Sequence, residues 1–223
     1  MLIPTLVFDN FFNYPDKIVE FANSLDYDET ANESWDDGAA AKGLYPGVRS
    51  KNLLEIDSHF FNYVNFKLLA SLYPSPQLQV SYNATTMFQK ISSLYTQKGW
   101  VHQDVGHDLT FIVYLSKHKE CGTSIFEPKT HSMHKIHSDK KNKNYKNKQF
   151  NDDHYLNENN SKFEETINIK SRFNRMIALD SRHFHAAQKF IESNIEEDRL
   201  TLISFVSNIQ GNMKFNAVEN RRI

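Results

Sequence analysis

The chain has 223 residues, a mass of 26.0 kDa, 39% hydrophobic residues and a formal net charge of −1. That length supports one well-cored domain, and the near-neutral charge removes the electrostatic case for nucleic acid or an anionic membrane as partner. The single cysteine, Cys121, excludes an intrachain disulfide framework.

The start "MLIPTLVFDNFF" lacks a basic leader, and no apolar run approaches the ~18 residues of a membrane span, so a soluble cytoplasmic protein is expected. Residues 2–8 are apolar and β-branched and predict a strand. Pro15 then stands at a first helical position with Asp16 in the first turn, and Ile18, Val19, Ala22 and Leu25 form a helical stripe. Residues 26–43 predict an acidic loop. "YPGVRS" (residues 45–50) predicts a turn, with Arg49 in an anchoring ion pair rather than facing a substrate. Asp57 and Ser58 are cap candidates for a second helix, whose stripe is Phe60, Phe61, Val64, Leu68, Leu69 and Leu72 and which Pro74 and Pro76 end.

Beyond that helix the period changes to two. Residues 77–92 predict one or two strands, 109–116 a strand buried on both faces, and 121–128 a short strand after a turn. Residues 174–180 and 199–207 predict two more. Helices followed by short strands predict a β-sandwich or barrel with the helices packed outside. Residues 129–172 interrupt this order. They are rich in Lys, Asn and His without a sustained period, and predict a loop-like or partly disordered insertion. Within it, His131, His134 and His137 and the run "KKNKNYKNKQ" are expected to be solvated rather than a second metal site or an interface.

Chemistry concentrates in "GWVHQDVGHDLTFIVYLS" (residues 99–116). His102 and Asp104 are two apart at the edge of a strand, so an imidazole and a carboxylate share a side. His107 breaks that spacing and is expected at a rim, and Trp100 suits core and pocket equally. A third ligand comes from "LDSRHFHAAQKF" (residues 179–190), where His183 and His185 have the same parity and both remain open. Two histidines and a carboxylate on one face of an octahedron form the facial triad of non-haem iron sites. Further on, Arg199 and Thr201 share a face of the next strand. An arginine turned inward needs an anionic partner, and a bound dicarboxylate would satisfy its fork. The plain alternatives are a surface His–Asp bond for the first pair, an edge ion pair with Glu196, Glu197 or Asp198 for Arg199, and ordinary packing for Tyr114.

The order of these features resembles the Fe(II)/2-oxoglutarate-dependent dioxygenases, and within them the prolyl-4-hydroxylase-like branch. It comprises HxD, a buried strand ending in Tyr-Leu, "CGTSIF", a distal His and Arg-x-Thr. The N-terminal "VFDNFF" and "YPGVRS" are similar to uncharacterised bacterial and phage members. The resemblance implies a mainly β fold with flanking helices (α+β): a double-stranded β-helix, or jelly-roll and cupin-like, core in a single domain over residues 1–223. Residues 1–80 would be a strand and supporting helices, 81–128 and 173–210 the core, and 129–172 the insertion.

It implies His102, Asp104 and His185 as iron ligands, with His185 favoured over His183 because a small residue, Ala186, follows it. It implies that Arg199 and Thr201 hold the far carboxylate of 2-oxoglutarate, with Tyr114 matching a tyrosine that bonds the same group in some members. Two departures are a longer gap from His185 to Arg199, implying a bulge or hairpin, and Cys121 where glycine is common. The implied activity uses Fe(II), 2-oxoglutarate and O2 to hydroxylate or oxidatively demethylate a small-molecule or peptidyl substrate, releasing succinate and CO2. Related halogenases replace the carboxylate ligand by a small residue, so Asp104 disfavours halogenation. The alternatives are a non-catalytic cupin-like metal-binding or structural protein, or a metal-dependent enzyme that is not an oxygenase. A bare cupin would need no buried Arg-x-Thr.

Overall fold

Ten strands among the described residues divide into two antiparallel sheets. The structure is a computed structural model that describes residues 5–28, 45–72, 80–95, 97–130 and 154–211. The larger sheet has the order β1-β8-β5-β10-β4-β3-β2, and the smaller β7-β6-β9. Their strands are β1 (Leu6–Phe8), β2 (Tyr27–Asp28), β3 (Val48–Ser50), β4 (Val80–Ile91), β5 (Leu109–Tyr114), β6 (Thr123–Pro128), β7 (Phe163–Ile169), β8 (Arg175–Asp180), β9 (Phe184–Ala187) and β10 (Arg199–Gly211). From β5 onward the chain passes back and forth between the sheets, which is how a double-stranded β-helix is wound.

Four helices complete the described structure: α1 (Pro15–Asn23), α2 (Leu53–Ile56), α3 (Ser58–Ala70) and α4 (His154–Ser161). Pro15 opens α1, and the Asp57 carboxylate caps α3 by accepting from the Phe60 N–H at 2.9 Å. Both helices cover one face of the larger sheet. Ala22, Phe61, Val64 and Leu68 pack there against Phe88, Phe111, Val113 and Leu202. The period of two explains the division. Even positions of β4 and β10 and odd positions of β5 meet the helices; the opposite positions face a cavity between the sheets.

Several sequence expectations change. The turn expected over 45–50 is confined to its first half. Gly47 adopts φ +71°, and a Cβ there would collide with the Lys90 carbonyl, so the glycine lets the chain lie against β4. Val48–Ser50 then pairs with β4, and Tyr27–Asp28 in the expected loop pairs with β3. The segment 129–172 was expected to lack regular structure throughout. Its described part instead forms α4 and β7, and β7 pairs with β6 to complete the smaller sheet. His131, His134, His137 and the lysine-rich run lie outside the described residues, as do residues 2–4, Pro74 and Pro76. His185 lies on β9, a strand not anticipated. No helix among the described residues is long and apolar enough to cross a membrane.

One polar cluster ties α3 to the sheet. Buried Asn65 donates to Thr86 Oγ1 (2.9 Å) and to the Phe61 carbonyl (2.9 Å), and its Oδ1 accepts from Ser204 Oγ (2.9 Å). Asn65→Ala removes the amide shared by buried Thr86 and Ser204 and leaves them only their bond to each other. We expect it to lower unfolding free energy by about 2 kcal/mol in urea denaturation, with the folded-state circular dichroism unchanged.

Candidate metal centre and cavity

The HxD segment enters the space between the sheets beside β9. The His102 N–H donates to the His185 carbonyl (3.0 Å), and the His185 N–H donates to the His102 carbonyl (2.9 Å), an isolated antiparallel bridge. The Asp104 N–H donates to the Ser181 carbonyl at 2.9 Å. A tight turn before β9 sets the other side: the Asp180 carboxylate accepts from Arg182 N–H (3.0 Å) and Nε (2.8 Å), while the His183 N–H donates to the Asp180 carbonyl. These contacts bring the ligating atoms of His102, Asp104 and His185 within 4.8 Å of one another.

The donor set is prepared for a cation. A carbonyl only accepts, so the contacts from Nδ1 of His102 to Trp100 O (2.7 Å) and from Nδ1 of His185 to His183 O (2.9 Å) require a proton on each Nδ1. In the neutral rings Nε2 then carries the lone pair. Those nitrogens lie 3.5 Å from Asp104 Oδ1 and 3.3 Å from Oδ2 respectively. Lone pairs facing carboxylate oxygens repel unless positive charge sits among them. Adjacent ligands of a six-coordinate ion with ~2.1 Å bonds are ~3.0 Å apart, so each imidazole–carboxylate pair needs only a small contraction to share a divalent metal. Without a metal, protonation of the imidazoles supplies that positive charge: burial would raise the Asp104 carboxyl, but the charges of protonated His185 and His102 and the hydrogen bonds they then donate hold it well below the usual carboxylate range. Thr110 Oγ1 donates to Asp104 Oδ2 at 2.6 Å and fixes its orientation. His183 is not part of this cluster.

A cavity of about 590 Å³ opens beside the cluster, within the usual range for small-molecule sites. Its floor is the cavity face of the larger sheet: Thr85, Met87, Gln89 and Ile91 from β4, Arg199, Thr201, Ile203 and Phe205 from β10, and Thr110 and Ile112 from β5. Arg199 and Thr201 are buried, and Arg199 Nε and Thr201 Oγ1 have no hydrogen-bond partner among the described residues. The ion pair with Glu196, Glu197 or Asp198 does not form; Glu197 accepts from the Lys117 N–H at 2.8 Å instead. Burial pulls the Arg199 guanidinium down, an effect opposed by Tyr114 and Cys121. The Tyr114 hydroxyl donates to Thr123 Oγ1 (2.8 Å), and it is Thr123 that lines the cavity in front of it. Trp100 and His107 also line the cavity. The His107 ring stacks on Phe205 with centroids 5.0 Å apart.

The long gap from His185 to Arg199 is a braced loop. The Glu192 N–H donates to His118 Nδ1 (3.3 Å), so His118 carries its proton on Nε2 and donates it to the Glu197 carbonyl (2.8 Å). Glu192 Oε1 accepts from the Glu120 N–H (2.7 Å), and burial pushes the Cys121 thiol up to about 11. His118, Cys121 and Glu192 lie close enough to ligate a metal, yet both imidazole nitrogens are already used. The loop in turn places Phe190 on the cavity wall.

Arg49 is the residue whose position the sequence misrepresents. It was expected in a turn ion pair, but it lies on β3 and lines the cavity, with no carboxylate paired to it among the described residues. A three-residue strand is too short to display alternation, so no periodic signal marks it.

A model described as a family of unknown function (DUF6445) matches residues 3–206. The chain belongs to this family. No curated protein matches the sequence. Among solved structures, the fold is similar to HygX from Streptomyces hygroscopicus, whose crystals hold nickel and 2-oxoglutarate. That match has 14% identity and a TM-score of 0.51, covering 91% of this chain and 82% of that one. It is similar to AviO1 from Streptomyces viridochromogenes Tue57 at 9% identity and a TM-score of 0.52, covering 92% and 89%. It is also similar to the non-haem alpha-ketoglutarate-dependent epimerase SnoN of nogalamycin biosynthesis at 11% identity and a TM-score of 0.51, covering 96% and 81%. At these identities the likeness establishes the fold, a double-stranded β-helix.

Thr110→Val removes the donor that orients Asp104 while keeping its shape. Manganese affinity, measured by titration calorimetry, is expected to fall by at least about tenfold without loss of the fold.

Proposed function

We propose that the protein is an Fe(II)- and 2-oxoglutarate-dependent dioxygenase. The observation that carries this reading is the pairing, in one cavity, of the His102–Asp104–His185 cluster with unpartnered Arg199 and Thr201. Buried polar groups left unpaired in a folded protein point to a missing partner. A metal site alone explains the first half of that pairing, and a non-catalytic cupin-like protein has no use for the second.

In this reading His102, Asp104 and His185 would hold the metal. Arg199 Nε and Thr201 Oγ1 supply the donors for the far carboxylate of 2-oxoglutarate. Tyr114, through Thr123, closes that end of the cavity. Iron and 2-oxoglutarate together would activate dioxygen for substrate oxidation, with succinate and CO2 released. The chain contributes binding, orientation and exclusion of water, the last through Trp100, Phe190, Ile112 and Ile203 on the cavity wall. The depressed Asp104 pKa keeps that ligand ionised across the physiological range. Hydroxylation or oxidative demethylation fits a site that retains its carboxylate ligand, and a small molecule fits the cavity volume.

Purified protein with ferrous iron is expected to convert 2-oxoglutarate to succinate slowly without added substrate, and His102→Ala or Asp104→Ala to abolish it. Failure of 2-oxoglutarate to bind the manganese-loaded protein would sink the proposal. In a separate comparison, Arg199→Gln should weaken 2-oxoglutarate binding by about 100-fold while manganese affinity stays within about threefold. Equal loss of both would indicate a damaged fold instead.

A further inference from the structure

The cavity floor carries a second arginine that this function does not use. Arg49 pairs with Gln89 across β3 and β4, and Gln89 pairs with Thr201 across β4 and β10. Arg49 and Thr201 therefore stand in one row of the sheet, two strands or ~10 Å apart. The Arg49 guanidinium lies over the Tyr45 ring at 3.8 Å and near the Phe205 ring at 5.6 Å. Its Nε is shut off from solvent with no hydrogen-bond partner among the described residues. The Gln89 side chain, which lies between it and Thr201, is already committed to the Pro46 carbonyl (2.5 Å).

We infer that Arg49 anchors a carboxylate of the molecule that is oxidised, so that the substrate is a small acid with an apolar body. This rests on the dioxygenase reading and adds the substrate class to it. Aromatic contact with the face of a guanidinium leaves its in-plane N–H edge to bind, and a planar carboxylate matches that edge with two parallel hydrogen bonds. Charge selects the same group. In the loaded site the two charges of iron(II) and the one on Arg199 are balanced by Asp104 and the two carboxylates of 2-oxoglutarate. Arg49 then keeps one positive charge with no counter-ion among the described residues. A monoanion neutralises it, whereas a phosphate dianion would leave an excess negative charge in a cavity that offers no third Arg or Lys among its described lining residues and only the His107 imidazole beside them. Burial lowers the Arg49 pKa to about 10, partly opposed by Tyr45 and Asp104, so the side chain is still a cation at neutral pH. The rest of the substrate meets Met87, Ile203, Phe205 and Trp100, an apolar wall.

The test uses matched acids and amides as probes: phenylacetate against phenylacetamide, and hexanoate against hexanamide. Each is titrated by calorimetry into the full-length protein loaded with manganese and 2-oxoglutarate. At least one acid should bind about tenfold tighter than its amide. Arg49→Gln should erase that preference while 2-oxoglutarate affinity stays within about twofold, and Arg49→Lys should keep part of it. Two results overturn the inference: no acid binding in preference to its amide, or Arg49→Gln weakening 2-oxoglutarate as severely as Arg199→Gln does. The second would make Arg49 part of the cosubstrate site. If the unaltered protein binds no 2-oxoglutarate, the parent reading falls and this one with it; retained 2-oxoglutarate binding with no acid preference removes this one alone.

Discussion

The pairing of β4 with β10 is the constraint on which the cavity depends. It runs in register from Arg199↔Ile91 to Ser207↔Asn83 before a bulge. Because successive side chains alternate, this one ladder decides that Phe88, Leu202 and Val206 face the helices. It equally decides that Gln89, Arg199, Thr201 and Phe205 face the cavity. A slip of one residue would exchange the two sets, placing an arginine among the phenylalanines of the core. The hydrophobic face therefore holds the polar face in place, and no residue of the cavity floor needs its own device to point inward.

The second constraint is charge. Burying a guanidinium is costly unless an anion accompanies it, and the floor buries Arg199 and shields the Nε of Arg49 with no carboxylate of the described residues paired to either. The same cavity holds one carboxylate, Asp104, already enclosed by two imidazoles and Thr110. Asp104 offsets part of the Arg49 charge across the cavity but forms no ion pair with either arginine. In the proposed function each is completed from outside the chain, by anions at the arginines and a metal at the cluster. Ligands that complete such groups stabilise the folded state in proportion to their occupancy.

Much of this was legible in the sequence because it rests on period. The HxD pair, the β10 pair Arg199 and Thr201, and the stripes of α1 and α3 all follow from counting residues along an element. The choice between His183 and His185 did not, since both have the same parity. The bridge between His102 and His185, a contact some eighty residues apart in the chain, is what brings His185 rather than His183 into the cluster. The strands β2, β3 and β9 were hidden because two to four residues cannot show alternation. Strand β7 was hidden by composition, since "FEETINI" exposes most of its side chains and is held by pairing with β6 rather than by a buried face. Arg49 was lost with β3, because its meaning comes from Gln89 beside it and not from its own neighbours in sequence.

The two faces of the β4–β10 ladder also separate structural polarity from polarity that awaits a ligand. On the helix side, Asn65, Thr86 and Ser204 hydrogen-bond to one another in the buried core. On the cavity side of the same strands, Thr201 Oγ1 and Arg199 Nε have no hydrogen-bond partner among the described residues. The backbone, the strands and the depth of burial are shared, so local sterics do not explain the contrast. A chain able to close a three-membered polar network on one face of these strands has the means to place a carboxylate opposite Arg199 on the other. That it places hydroxyl, amide and apolar side chains there instead keeps the arginine available, and the cost to the unliganded protein is recovered only when an anion binds.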